Sequence, residues 1–128
     1  MSDAVAIALD EPSWAFEPQD WLDAVRERWP AAGCLVPPRY PGERNAAAAL
    51  IPGDRGRLEV VLDEDRQTVR FEPLIPEAIA EFVAWWAGRL PSYDPPVHLF
   101  VGGDAEQSLH LTRDLTAADV LGFLSSVR

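Results

Sequence analysis

Apolar residues recur along the chain with two different periods. In PQDWLDAVRERW, Pro18 to Trp29, the residues Trp21, Leu22, Val25 and Trp29 make one stripe at helical spacing. Pro18 suits the first helical position, Asp20 and Asp23 favour the positive N-terminal end, and Pro30 stops the helix. From Pro76 to Leu90, Ile79, Phe82, Val83, Trp86 and Leu90 form a second stripe. Its neighbour Trp85 lies roughly 100° further round the axis, between Glu81 one turn before and Arg89 one turn after. The pattern therefore puts Trp86 in the core and Trp85 at its edge, with Arg89 placed to stack on the Trp85 ring. A third helix follows Thr116, whose hydroxyl can cap it, with Asp119 completing a capping box. Its apolar positions are Val120, Leu121, Leu124 and Val127.

Other segments alternate with period two. The stretch RLEVVLDEDRQTVRFE reads as a hairpin turning at Glu64-Asp65. That register sets Val60 against Val69 and Leu58 against Phe71, and gathers Leu58, Val60, Leu62, Val69 and Phe71 on one face. It also sets Glu59 opposite Arg70 and Arg57 opposite Glu72, pairs favourable by roughly 0.2–1 kcal/mol each. VHLFV, Val97 to Val101, is a strand that returns through a GGDAE loop into QSLHLT, Gln107 to Thr112. Leu99 then faces Leu109, Val101 faces Gln107, and His98 faces His110. A short strand is expected over 33–36, followed by a proline-stiffened loop carrying Tyr40. NAAAALI, Asn45 to Ile51, suits helix by alanine content but strand by its length between turn signals, and strand is the expectation. Residues 1–13 are weakly patterned, a short strand or a loose tail. The sum is one α+β domain over residues 1–128, an antiparallel sheet with helices in the order α-β-β-β-α-β-β-α.

Charge narrows the classes of partner. Asp and Glu number 21 against 11 basic residues, all of them arginine, for a net charge of −10. Such a surface repels phosphates and anionic lipid, so no nucleic-acid or membrane partner is expected. It suits a basic protein, because complementary fields speed encounter and reject wrong partners. No apolar run approaches the ~18 residues of a membrane span. The N-terminus lacks a basic region and a continuous apolar stretch, and the lone Cys34 cannot form an internal disulfide. These features predict a cytoplasmic protein. Arginine without lysine, and many alanines, match the composition of a GC-rich bacterial genome.

Candidate chemistry is thin. Asp63, Glu64 and Asp65 lack the glycine and spacing of a calcium loop and belong to a turn. His98 and His110 could share zinc, with Asp94 or Asp114 nearby in sequence, or a proton, but no HxH or CxxC spacing supplies the three or four ligands zinc needs. Gly102-Gly103 is followed by a strand rather than the helix a phosphate loop needs. Ser108 and the other serines lack a nucleophile elbow. No catalytic residue, metal or cofactor is assigned.

Aromatic residues and arginine are enriched at binding hot spots. Trp14, Tyr40, Trp85 and Tyr93 are the aromatic candidates, the two tyrosines in proline-rich loops. Asp63, Glu64 and Asp65 at the hairpin tip, then Asp94 and Asp104, are the acidic ones. The element order from Pro18 to Arg128 resembles that of type III secretion chaperones, which implies a homodimer escorting a secreted protein. Size, charge and the lack of catalytic motifs are similar to those of small acidic bacterial immunity proteins, which implies capping of a basic toxin. The favoured expectation is a non-enzymatic domain that neutralises a cognate basic protein. The chaperone-like homodimer, and a small metal- or histidine-dependent enzyme, stand as alternatives.

Overall fold

The computed structural model describes residues 3–35, 45–102 and 104–127. Its strands are β1 (Ala4–Ala8), β2 (Gly33–Leu35), β3 (Asn45–Ile51), β4 (Leu58–Asp63), β5 (Val69–Glu72), β6 (Val97–Val101) and β7 (Asp104–His110). The helices are α1 (Pro18–Arg28), α2 (Pro76–Ala87) and α3 (Ala117–Ser126). The strands form one antiparallel seven-stranded sheet in the order β2-β3-β4-β5-β1-β6-β7. The α+β class and antiparallel sheet thus agree with the sequence. The structure makes the N-terminal segment a strand, β1, and has four strands between α1 and α2, the four that the separate segments predict and one more than their summed order counts.

The weakly patterned N-terminus is the strand that joins the sheet's two halves. β1 pairs with β5 on one side and β6 on the other. Its pattern is faint because alanines face the core: Ala4 and Ala6 are buried, while the larger Val5 and Ile7 lie on the partly exposed opposite face. β3 uses the same device. Ala47 and Ala49 are fully buried, and α1 lies against this strand. A methyl group there leaves room for Trp21 and Trp29 of the α1 segment.

Phe82 is where the layers meet. Its ring lies 5.3 Å from Trp29 in a stacked pair and 6.3 Å from Trp21. It meets Phe71 of β5 edge-on at 5.5 Å and Trp85 at 5.4 Å. The α2 stripe behaves as its spacing predicts: Ile79, Phe82, Val83, Trp86 and Leu90 are all buried. α2 also packs on α3, through Val120 and Leu124 on the α3 side. The Thr116–Asp119 capping box forms in both directions, each bond 3.1 Å.

Two registers differ from expectation. Glu59 faces Glu72, Val60 faces Phe71 and Leu62 faces Val69, so the hairpin is displaced by two residues. A two-residue shift keeps every side chain on its face, so the apolar pattern cannot distinguish the two registers. Turn chemistry decides instead. Asp65 accepts bonds from the Gln67 and Thr68 N–H groups and the Thr68 hydroxyl, at 2.8, 2.9 and 2.7 Å. These bonds close a longer loop, with Asp63 N–H donating to the Thr68 carbonyl and Arg66 at a left-handed φ of 60°. Charge-assisted bonds of this kind outweigh two exposed ion pairs. Arg70 consequently pairs with Asp63 at 2.8 Å rather than with Glu59. In the second hairpin, Leu99 faces Leu109 and His98 faces His110 as expected. The register then jumps between Phe100 and Val101, so Val101 faces Asp104 and the expected GGDAE loop is already strand from Asp104. Gly102, at φ 64°, supplies the left-handed turn that starts this return.

Phe82→Ala should cost about 3–5 kcal/mol of unfolding free energy, because it empties the junction of three elements. Ala49→Leu should cost about 1–3 kcal/mol by overpacking the α1–β3 contact. Urea denaturation monitored by circular dichroism measures both.

Candidate functional site

The sheet register sorts the surface acids by end. Ala6 faces Val69, Ala8 faces Val97, and His98 faces His110. The chain segments beyond these positions therefore share one end of the sheet: 9–12 after β1, 64–68 before β5, 92–96 before β6 and 111–114 after β7. Backbone bonds tie them together. Leu9 N–H donates to the Pro96 carbonyl at 2.9 Å, and Phe16 N–H to the Arg66 carbonyl at 2.8 Å. The Gln67 side-chain amide donates to the Trp14 carbonyl at 2.8 Å.

This end carries the exposed carboxylates of Asp10, Glu11, Glu64, Asp65, Asp94 and Asp114, beside Arg66 and Arg113. Between 7–12 and the hairpin lies a shallow depression of about 520 Å³, lined by Ile7, Leu9, Asp10, Glu11, Asp65 and Gln67 among others. Leu9 on its rim is 51% exposed, more than any other large apolar side chain among the described residues.

The tip acids differ in what they already do. Burial is the largest influence on Asp65 and pushes its pKa up, but the bonds from Thr68 and Gln67 together outweigh it and hold the carboxyl below its usual 3.8. Asp63 goes the other way. Burial raises its pKa despite the Arg70 hydrogen bond and charge. Asp63 and Asp65 are thus parts of the hairpin, while Glu64 projects as an exposed side chain.

The other sequence candidates scatter. Tyr93 is partly buried; its hydroxyl donates to the Ala87 carbonyl at 2.6 Å, satisfying the end of α2, and Arg113 lies 5.1 Å over its ring. It belongs to the acidic end together with exposed Asp94. Trp85 sits at the α1–α2 seam, 5.1 Å from Trp29 edge-on, with Arg89 5.1 Å over its ring. It is partly buried, so the edge position and the stacked arginine are both as the spacing predicts. Trp14 is likewise partly buried, 5.4 Å from Phe16. Asp104 opens β7 beside Val101, at the opposite end of the sheet from the hairpin tip. Tyr40 lies outside the described residues.

On the sheet face away from the helices, His98 and His110 stack at 5.0 Å with their planes 8° apart. Ser108 Oγ lies 2.8 Å from His98 Nδ1, a contact the sequence reading did not propose. Only the cross-strand pairing of Phe100 with Ser108 could have signalled it. Parallel rings direct their nitrogen lone pairs along parallel planes, which do not converge on one ion in this arrangement. Among the described residues there is no cluster of three or more His, Cys, Asp or Glu able to hold a metal. No helix among them is long and apolar enough to cross a membrane.

The chain matches no family model, no curated protein and no solved structure. Its site is accordingly read from its own geometry.

Asp65→Ala should cost about 1–3 kcal/mol, since it leaves the Thr68 and Gln67 donors without their acceptor. Asp65 contributes its stability above pH 3.8 and loses it as pH falls through its depressed folded pKa. The corresponding group nearer neutral pH is His98, whose pKa is lowered by burial first and by the His110 charge second. Its neutral form is favoured by folding, so stability is full above pH 6.5 and declines as pH falls below that value. His98→Asn should therefore lose less melting temperature than wild type between pH 7.5 and 5.5, measured by calorimetry. Equal losses would remove His98 as the titrating group.

Proposed function

We propose that the protein is a binding domain that neutralises a cognate basic protein, as a toxin immunity protein does, and that the acidic end of its sheet is the docking surface. The observation that carries this reading is the placement of four separate segments, each bringing exposed carboxylate, at one end of the sheet, two of them lining a depression with exposed Leu9 on its rim. The net charge of −10 supplies the long-range field, and six of the carboxylates stand exposed at this end. Leu9 and the Tyr93 edge offer apolar contact within an acidic rim, the arrangement of a small interface core. Acids held on a rigid sheet end need little reorganisation on binding. In this mechanism the carboxylates occupy the basic surface that the partner uses on its own substrate.

The test is cellular and then physical. The partner, encoded beside this chain or captured with it, should arrest growth when expressed alone and be tolerated when the wild-type chain is co-expressed. The triple variant Asp10→Asn, Glu11→Gln, Asp94→Asn should protect poorly while melting like wild type. Affinity of the purified pair should fall by about tenfold or more between 50 and 300 mM salt. A partner that is harmless alone, or an affinity indifferent to salt, would contradict the proposal. A stable homodimer capturing partners regardless of their charge would favour the chaperone-like reading instead.

A further inference from the structure

At the other end of the sheet, the β3–β4 loop and the first turn of α2 enclose a groove of about 370 Å³. Two kinds of surface line it. Trp29, Ile51, Ile75 and Ala78 form an apolar floor, buried or partly buried. Asp54, Glu77 and Glu81 stand exposed on the rim, with Arg55 as the basic residue of the lining. The loop holds this shape through Gly56, whose φ of 120° strains any other L-residue, with its N–H bonded to the Gly53 carbonyl at 3.2 Å. Phe82, stacked on Trp29, fixes the floor from beneath, and the chain's own Arg28 lies 4.7 Å over the Trp29 ring, a cation already held at this lining.

We infer that this groove receives a long basic side chain, arginine or lysine, presented by a segment of the partner protein. The proposal rests on the partner-binding reading for the source of that side chain. An apolar stem beneath a cationic head matches both halves of the lining, as neither an acidic nor a purely apolar group does. The chain's own Arg55 shows what the rim attracts. It approaches Glu77 at 3.7 Å, with the two side chains 72% and 51% exposed. A contact so long and so exposed is weak and readily exchanged for an incoming cation. Asp54, Glu77 and Glu81 outnumber Arg55 in the lining and Arg28 over Trp29, so the rim keeps a net negative charge.

Blocked peptides of the form Gly-Gly-Arg-Gly-Gly, with arginine, lysine, citrulline or norleucine at the centre, test the groove directly in the full chain. The readout is the set of amide and indole N–H shifts in nitrogen-15 spectra. Arginine and lysine peptides should move the Trp29 indole and the Gly53, Gly56 and Ala78 amides. Citrulline and norleucine peptides should bind about tenfold or more weakly. Glu77→Gln with Glu81→Gln should abolish the arginine preference, while Asp23→Asn, on the exposed face of α1, leaves it unchanged. Equal binding of arginine and norleucine, shifts confined to 9–12 and 64–68, or no shift at millimolar peptide would each overturn the assignment. The peptides need no cognate partner, so their failure removes the groove while the neutralisation reading answers to its own growth and salt tests.

Discussion

The fold depends on one aromatic junction. Phe82 projects from the middle of α2 and touches α1 through Trp21 and its C-cap Trp29, the sheet through Phe71, and its own next turn through Trp85. Aromatic pairs of this geometry are worth about 0.5–1.5 kcal/mol each beyond the area they bury. The alanines of β1 and β3 follow from the same junction, since large rings above the sheet require small side chains in it. The two adjacent tryptophans of α2 then have different roles. Trp86 is 1% exposed and belongs to the core, whereas Trp85 closes the seam between α1 and α2 under a stacked Arg89. What α1 and α2 leave between their ends and the β3–β4 loop is the acid-rimmed groove, so the junction also shapes a surface.

The helices were legible in the sequence because their apolar stripes are long and their stops are marked by proline, glycine or a cap. Both hairpins were legible as to face, and His98 opposite His110 as to register. The first hairpin's register was not, because a slip of two residues preserves the alternation of sides and only the turn distinguishes the alternatives. Asp65 carried that information, but as an acceptor for Thr68 and Gln67 rather than as a simple turn former. β1 was hard to see for a related reason: its core-facing residues are the small ones.

The site was legible only in part. The hairpin-tip acids and Asp94 share one end of the sheet, while Asp104 lies at the other and Trp85 on the helical side. Asp10, Glu11 and Leu9 were not singled out, because their place at this end comes from the central placement of β1, which no local pattern announces. Two of the tip acids also serve the hairpin itself, which ties the proposed docking surface to the stability of the strand pair. Electrostatic complementarity of this kind acts mainly on encounter rate and partner choice, with packing at the interface supplying lifetime.

Hydrogen–deuterium exchange of the chain, free and saturated with the basic partner proposed for it, tests the central claim most directly. The account predicts new protection in residues 9–12, 64–68, 92–96 and 111–114 together, four segments adjacent only in the folded sheet. Protection confined to the β2 edge or to α3, with these four segments unchanged, would contradict it.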